Sequence, residues 1–164
     1  MILTEQSLRD VVPDATIMRV GGLYGPYDLF PNMYPAVRRI VDKRPFIIIP
    51  ERSAGVFTSG WAYSRNQAEM IILAIDQPDK SKGETFNVSE DRTVTFRQWV
   101  QICADALGSD IEIIEMPYEL AVPGYPIVGG TGGVEAPYST NLKAKKLLGY
   151  KDVVHVVDAI SETA

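Results

Sequence analysis

Cysteine and histidine are almost absent from this chain: each occurs once, as Cys103 and His155. A lone cysteine excludes an internal disulfide framework and a cysteine metal cluster. A lone histidine, set among valines near the C-terminus, lacks the partners that a metal site or a catalytic base requires, so no metal is expected. Long apolar runs are missing too. No stretch reaches the roughly eighteen residues of a membrane span, and the first residues lack a basic-then-apolar leader pattern. A soluble, cytoplasmic protein without a membrane partner is therefore expected. Positive charge is also in deficit, with a formal net charge of −5, which speaks against nucleic acid as a partner. Between Ile111 and Thr140 there is neither lysine nor arginine. No internal repeat or low-complexity segment is present.

What remains is an ordinary globular composition, 46% hydrophobic over 164 residues. That is enough for one domain, 1–164, with its own core. The chain is organised around Thr16–Tyr27, where an apolar strand at Thr16–Val20 breaks at Gly21 and Gly22 and turns again at Gly25-Pro26. Paired glycines at a strand end let backbone approach a ligand, because no Cβ intervenes. In open α/β sheets ligands sit outside the carboxyl ends of strands.

Around this strand the pattern predicts helices over Met1–Val12, Asn32–Lys43, Ser64–Ile75, Phe96–Leu107, Thr140–Leu148 and Val153–Thr163. It predicts strands at Phe46–Ile49, Gly55–Trp61, Thr85–Val88 and Asp110–Met116. Ser64-Arg-Asn-Gln67 and Thr95-Phe-Arg-Gln98 both read as capping boxes. The helix after Ser64 is apolar almost all round and is expected to be deeply buried. Asp76–Gly83 and Pro117–Pro137 read as loops. Cys103, on the apolar stripe Phe96, Trp99, Val100, Leu107, reads as a core thiol. Arg38, Arg39, Lys43 and Arg44 read as a solvated basic face. Ile127-Val-Gly-Gly-Thr-Gly-Gly133 imitates a dinucleotide fingerprint, but Pro126 cuts the preceding strand and Pro137 denies the following helix, leaving a loop. Glu112, Glu115, Glu119 and Glu135 share no spacing that fixes a carboxylate pair.

Four motifs carry a resemblance to a family. Arg19-Val-Gly-Gly-Leu-Tyr-Gly-Pro26 resembles the "R-P-G-x-x-Y-G-P" strand end of the extended short-chain dehydrogenase/reductases of NAD-dependent epimerase/dehydratase type. Asn66-Gln-Ala-Glu-Met-Ile-Ile-Leu-Ala-Ile75 is similar to the family's "D-V-A-x-A-I-x-x-A-I" helix. Thr85-Phe-Asn-Val-Ser89 and Lys143-Ala-Lys-Lys-Leu-Leu-Gly-Tyr150 follow in the family's order. The resemblance implies an α/β fold: a partial Rossmann-like lobe with a small mixed sheet and about five helices. It matches the family's second, substrate-binding half only. Glu5 takes the place of a glutamate beyond the family's "Y-x-x-x-K" pair, so the lysine would fall on Met1 and the catalytic tyrosine before it.

By that resemblance the strand end lies beside nicotinamide and substrate, and Tyr24 is placed to stack on a ligand ring. Gly22 stands where many nucleotide-sugar members carry a substrate-binding asparagine, and Ser59 where they carry a phosphate-binding arginine. Arg52 and Arg65 are the nearest substitutes. The ligand-cleft candidates are therefore Gly21, Gly22, Tyr24, Ser59, Arg52 and Arg65, with no catalytic residue assigned. A pyrophosphate in a partly dry site needs charge-assisted donors, so a nucleoside-diphosphate sugar is not the expected ligand of this lobe. NAD(P) belongs to the intact family, and this chain is expected to bind no cofactor alone. Three readings stand open: a catalytically silent substrate lobe of an epimerase/dehydratase-like enzyme, a stand-alone binding or interaction module, or a half-enzyme complemented by a separate Rossmann chain. The second would form a homo-oligomer.

Overall fold

A computed structural model describes residues 2–27, 34–51, 61–121 and 139–164. The chain is α/β, with six strands and eight helices among the described residues. In order these are α1 (Ile2–Val11), β1 (Ile17–Val20), β2 (Gly22–Tyr24), α2 (Tyr34–Val41), β3 (Phe46–Pro50), β4 (Trp61–Tyr63) and α3 (Ser64–Asp76). Then follow α4 (Pro78–Ser81), β5 (Thr85–Val88), α5 (Phe96–Ala106), β6 (Glu112–Met116), α6 (Tyr118–Ala121), α7 (Leu142–Leu148) and α8 (Val156–Thr163). The strands form three two-stranded pairs, β1–β5, β2–β4 and β3–β6. The first and third are parallel. The chain divides into two compact units.

The first unit holds residues 2–23, 61–91 and 139–154. Ile17 stands opposite Thr85 and Val20 opposite Val88. β5 alternates, sending Phe86 and Val88 fully inward, as a strand with one core face must. Met70 and Ala74 of α3, Ala144 and Leu148 of α7, and Tyr150 close the same core. Asn66 is the polar member of this interior. Its Nδ2 donates to the Val154 carbonyl at 2.9 Å, and its Oδ1 accepts from the Val153 and Val154 amides at 3.0 and 2.9 Å. Gly149 closes α7 with φ +72°, a left-handed conformation that glycine adopts without steric penalty.

The second unit holds residues 24–27, 34–51, 92–121 and 155–164. Ile47 and Ile49 of β3 are fully buried, and β3 pairs in register with β6 from Phe46–Glu112 to Pro50–Met116. α5 turns Trp99, Val100, Cys103 and Ala104 inward, and α2 and α8 pack on it. The capping box at Thr95 is formed: Thr95 Oγ1 accepts from the Gln98 amide, and Gln98 Oε1 accepts from the Thr95 amide. His155 caps α8, its Nδ1 accepting from the Val157 amide at 3.4 Å.

Several expectations are corrected. The Ser64 capping box is not formed; Tyr63, in extended conformation, is the N-cap and Ser64 is already helical. α3 is not buried all round. Asn66, Met70 and Ala74, spaced by four, face the core, while Ile72 and Ile75 are 50% and 70% exposed. Asp76–Gly83 contains the single turn α4, nucleated by Pro78 in its first position. A second single turn, α6, follows Pro117. With these two single turns the described residues hold eight helices. Of the Gly55–Trp61 strand, only Trp61 lies within the described residues. The glycine-rich Ile127–Gly133 lies outside them.

Candidate functional site

The strand end singled out by the sequence lies largely in the first unit. β1 stops at Val20, the chain passes Gly21, and β2 then pairs with β4, which runs directly into α3. The chain just beyond β1 is thus joined, through β2, to the strand that leads into a thirteen-residue helix. Arg19 does not point to a ligand here. Its Nε and Nη2 donate to the two carboxylate oxygens of Glu5, both at 2.7 Å. That hydrogen bond holds Glu5 below the usual carboxylate range, and the same partner raises Arg19 further.

Gly22 makes room for a neighbouring side chain. A Cβ there would stand 3.0 Å from Trp61 Cδ1, 3.1 Å from Nε1 and 3.3 Å from Cε2. The pyrrole ring of Trp61 therefore occupies the space that a side chain at position 22 would need. Gly21 is exposed, and so is Arg65 in the first turn of α3. Tyr24 falls in the second unit, where it is 3% exposed and meets Trp99 edge-on with centroids 6.0 Å apart. Arg52 and Ser59 lie outside the described residues. Of the six cleft candidates, Gly21, Gly22 and Arg65 share one unit.

Sequence reasoning missed a polar clasp after β5. Asn141 Nδ2 donates to the Ser89 carbonyl at 3.0 Å and to Asp91 Oδ1 at 2.7 Å. Lys145 Nζ pairs with the same Asp91 oxygen at 2.7 Å. The Asp91 amide donates to Asp152 Oδ2, and Tyr150 Oη donates to Asp152 Oδ1. Burial pushes the Asp152 carboxyl up, against those two hydrogen bonds, which lower it. Burial first, then the nearby carboxylates, push the Tyr150 hydroxyl up as well. Each Asp152 oxygen has a donor, so the cluster ties the β5 end to the segment after α7 and offers no free acid or base. No signal short of the fold links residues some fifty to sixty positions apart.

Cys103 is 2% exposed and burial pushes its thiol up to about 12, so it stays protonated and unreactive near neutrality. Among the described residues no group of three or more histidine, cysteine or carboxylate side chains could hold a metal ion. No helix among them is long and apolar enough to cross a membrane.

The fit to a dinucleotide is poor over the described residues. Pyrophosphate is held by a glycine turn between a strand and a helix N-terminus. Here β4 enters α3 with no intervening residue, and the β5–α5 turn carries Glu90 and Asp91 in place of glycine.

The outer surface of the first unit is unusual. α1 directs polar groups toward the sheet: Arg9 donates to the Gly83 carbonyl at 2.6 Å and to Thr85 Oγ1 at 2.8 Å, while Glu5 holds Arg19. Its apolar residues Leu3, Leu8 and Val11, with Val12 just beyond, are 78%, 44%, 80% and 46% exposed. Thr4, Gln6, Ser7 and Asp10 are exposed as well, so the outer side of α1 carries apolar and polar residues together. β1, which it flanks in sequence, pairs on one edge only among the described residues.

No family model matches the chain, and no curated protein matches it. Solved structures do. The dTDP-glucose 4,6-dehydratase DesIV of Streptomyces venezuelae, with NAD and TYD bound, is 21% identical and superposes with a TM-score of 0.67 over 98% of this chain and 46% of its own. The UDP-glucuronic acid 4-epimerase of Bacillus cereus, with UDP-glucuronic acid and NAD, is 14% identical with a TM-score of 0.66, over 90% and 43%. A UDP-galactose 4-epimerase is 18% identical with a TM-score of 0.63, over 89% and 42%. The chain thus has the fold of part of the NAD-dependent epimerases and dehydratases, and spans less than half the length of these neighbours.

Proposed function

We propose that this chain is the partial, ligand-binding lobe of an epimerase/dehydratase-like protein and has no oxidoreductase turnover of its own. The dinucleotide-binding half is supplied by further polypeptide, which covers the face formed by α1 and the open edge of β1. The lobe works in the cytoplasm, and its ligand is a small molecule received at the Gly21–Gly22 strand end.

The exposed apolar residues of α1 carry this reading. A helix commonly turns its apolar residues to its own sheet; this one is tethered through Arg9 and Glu5 and leaves Leu3, Leu8 and Val11 in water. Covering such side chains contributes on the order of one to two kcal/mol each. A one-sided strand beside them recruits a further strand. The fold neighbours support the identity of the missing cover, because each is more than twice as long as this chain and two of them hold NAD.

The same face supports a second reading, a stand-alone module that self-associates. Sedimentation velocity at micromolar concentration separates the two. If a second copy covers the face, the wild-type chain sediments as a dimer or larger and Val11→Lys returns it to monomer. A wild-type monomer rules out self-association and leaves a different chain as the cover. Association that survives Val11→Lys and Leu8→Lys removes α1 from both readings.

A further inference from the structure

We infer that the C-terminal end of α2 is a docking surface for an acidic segment of a partner protein, one that carries apolar side chains between its carboxylates. The surface belongs to the second unit and is independent of the strand-end site. It is marked by an accumulation of unpaired positive charge. Most cations of the described residues have a fixed partner: Arg19 pairs with Glu5, Lys82 with Asp14, Arg97 with Glu115 and Lys145 with Asp91. On α2, Arg38 is engaged by Asp42 at 3.5 Å and lies over the Tyr34 ring. Arg39, Lys43 and Arg44 make no side-chain hydrogen bond or ion pair among the described residues.

The helix end also holds a cation in an unfavourable conformation. The Arg44 amide donates to the Arg39 carbonyl and the Lys43 amide to the Ile40 carbonyl, both at 3.0 Å. That closure puts Lys43 in the left-handed region, at φ 53°. Glycine takes such a position without steric penalty, and does so after α5 and α7, at Gly108 and Gly149. Lysine here keeps a charge where a side chain is disfavoured. Apolar groups lie exposed among these charges: Tyr34, Val41 and Phe46 are 50%, 62% and 37% exposed. Glu112, opposite Phe46 in the β3–β6 register, gives the patch an acidic border. Cations interleaved with aromatic and aliphatic side chains suit a protein segment, since arginine and aromatic contacts dominate protein interfaces. A free phosphate fits worse, because both turn amides already serve carbonyls and a helix C-terminus is the negative end of its dipole. Nucleic acid and anionic bilayers are repelled by a chain of net charge −5. A short acidic segment instead feels chiefly the charges within a Debye length of roughly 8 Å.

Fluorescence anisotropy on the full chain tests this with a labelled peptide of glutamate pairs alternating with leucine, and with its glutamine counterpart. The acidic peptide should bind at low ionic strength and weaken as sodium chloride is raised, while the glutamine peptide should not bind. Lys43→Glu combined with Arg44→Glu should lower the affinity by at least about tenfold, and Lys43→Arg should preserve it. Lys43→Gly supplies a readout that a purely structural lysine would not move. It should leave the melting temperature equal or higher, because the left-handed turn is relieved, yet weaken the peptide about two- to fivefold. This variant keeps the test usable if the double reversal fails to fold. No binding of the acidic peptide, or equal binding of its glutamine counterpart, would overturn the inference. So would an affinity unchanged in the double reversal or in Lys43→Gly, or tighter binding of inorganic phosphate, single-stranded DNA or phosphatidylserine vesicles than of the peptide. None of these readouts involves α1 or a dinucleotide, so the proposed function can fail or hold separately.

Discussion

Replacing Asn66 by alanine should be among the most damaging single changes in the first unit. Asn66 is 1% exposed and makes three hydrogen bonds across 87–88 residues of sequence, to the Val153 amide and to both backbone groups of Val154. Alanine leaves all three without their partner. The Val153 amide is only part-buried and can turn to water, but the Val154 amide and carbonyl bonds are buried. An orphaned buried group costs roughly 1–3 kcal/mol, so two give about 3 kcal/mol, from a domain whose whole stability is on the order of 5–15 kcal/mol. At about 2–4 °C per kcal/mol for a chain of this size, the melting temperature should drop by about 6–12 °C. Asn66→Asp should recover part of this, since a carboxylate still accepts both amides, though it then faces the Val154 carbonyl without a donor. Urea unfolding with tryptophan emission and far-UV circular dichroism gives the number. A loss under about 1 kcal/mol for Asn66→Ala would refute the reasoning, because hydrogen bonds worth that little were never buried.

Further expectations concern pH, capping and association. Burial raises Asp152 above its usual 3.8. The native state then holds the proton more tightly than the unfolded chain, so the associated stability is full below 3.8 and lost as pH rises through the folded value. Asp152→Asn should flatten the pH dependence of unfolding in that window, as read by urea midpoints; an unchanged slope would assign it elsewhere. Thr95→Ala removes one arm of the α5 capping box and should destabilise by about 1 kcal/mol, with Thr95→Ser close to wild type; equal losses in both variants would contradict the capping role. Val11→Lys should leave the unfolding free energy within about half a kcal/mol of wild type in a monomer, while abolishing any self-association seen by sedimentation.

Much of the architecture was legible because it is local. Thr95 and Gln98 sit three apart before an apolar stripe, and the box forms. β5 declares itself by the alternation of Thr85–Val88, and Gly149 ends α7 as a left-handed glycine should. Ser64 and Gln67 show the same spacing, yet the helix starts one residue earlier, because extended Tyr63 already supplies the N-cap. α3 looked apolar all round, but burial followed the Asn66–Met70–Ala74 line and left Ile72 and Ile75 outside. The candidate site was less legible. That Gly22 serves Trp61 requires knowing that β2 pairs with β4, and that Arg19 serves Glu5 requires knowing where α1 lies. The Asp91–Asp152–Tyr150 clasp joins segments that only the fold brings together. The exposure of Leu3, Leu8 and Val11 was hidden because the apolar residues of α1 are only loosely periodic, and the side that faces inward is fixed by the Arg9 and Glu5 hydrogen bonds.

The central question is whether these residues, by themselves, grip a nicotinamide dinucleotide. Thermal unfolding of the purified chain across a series of NADH concentrations measures it directly. A ligand that binds only the folded state at a hundredfold its dissociation constant adds about 2.7 kcal/mol, several degrees for a protein of this length. The melting temperature is predicted to stay flat across the series. A saturable, dose-dependent rise of several degrees would show a dinucleotide site within this chain and contradict the proposal.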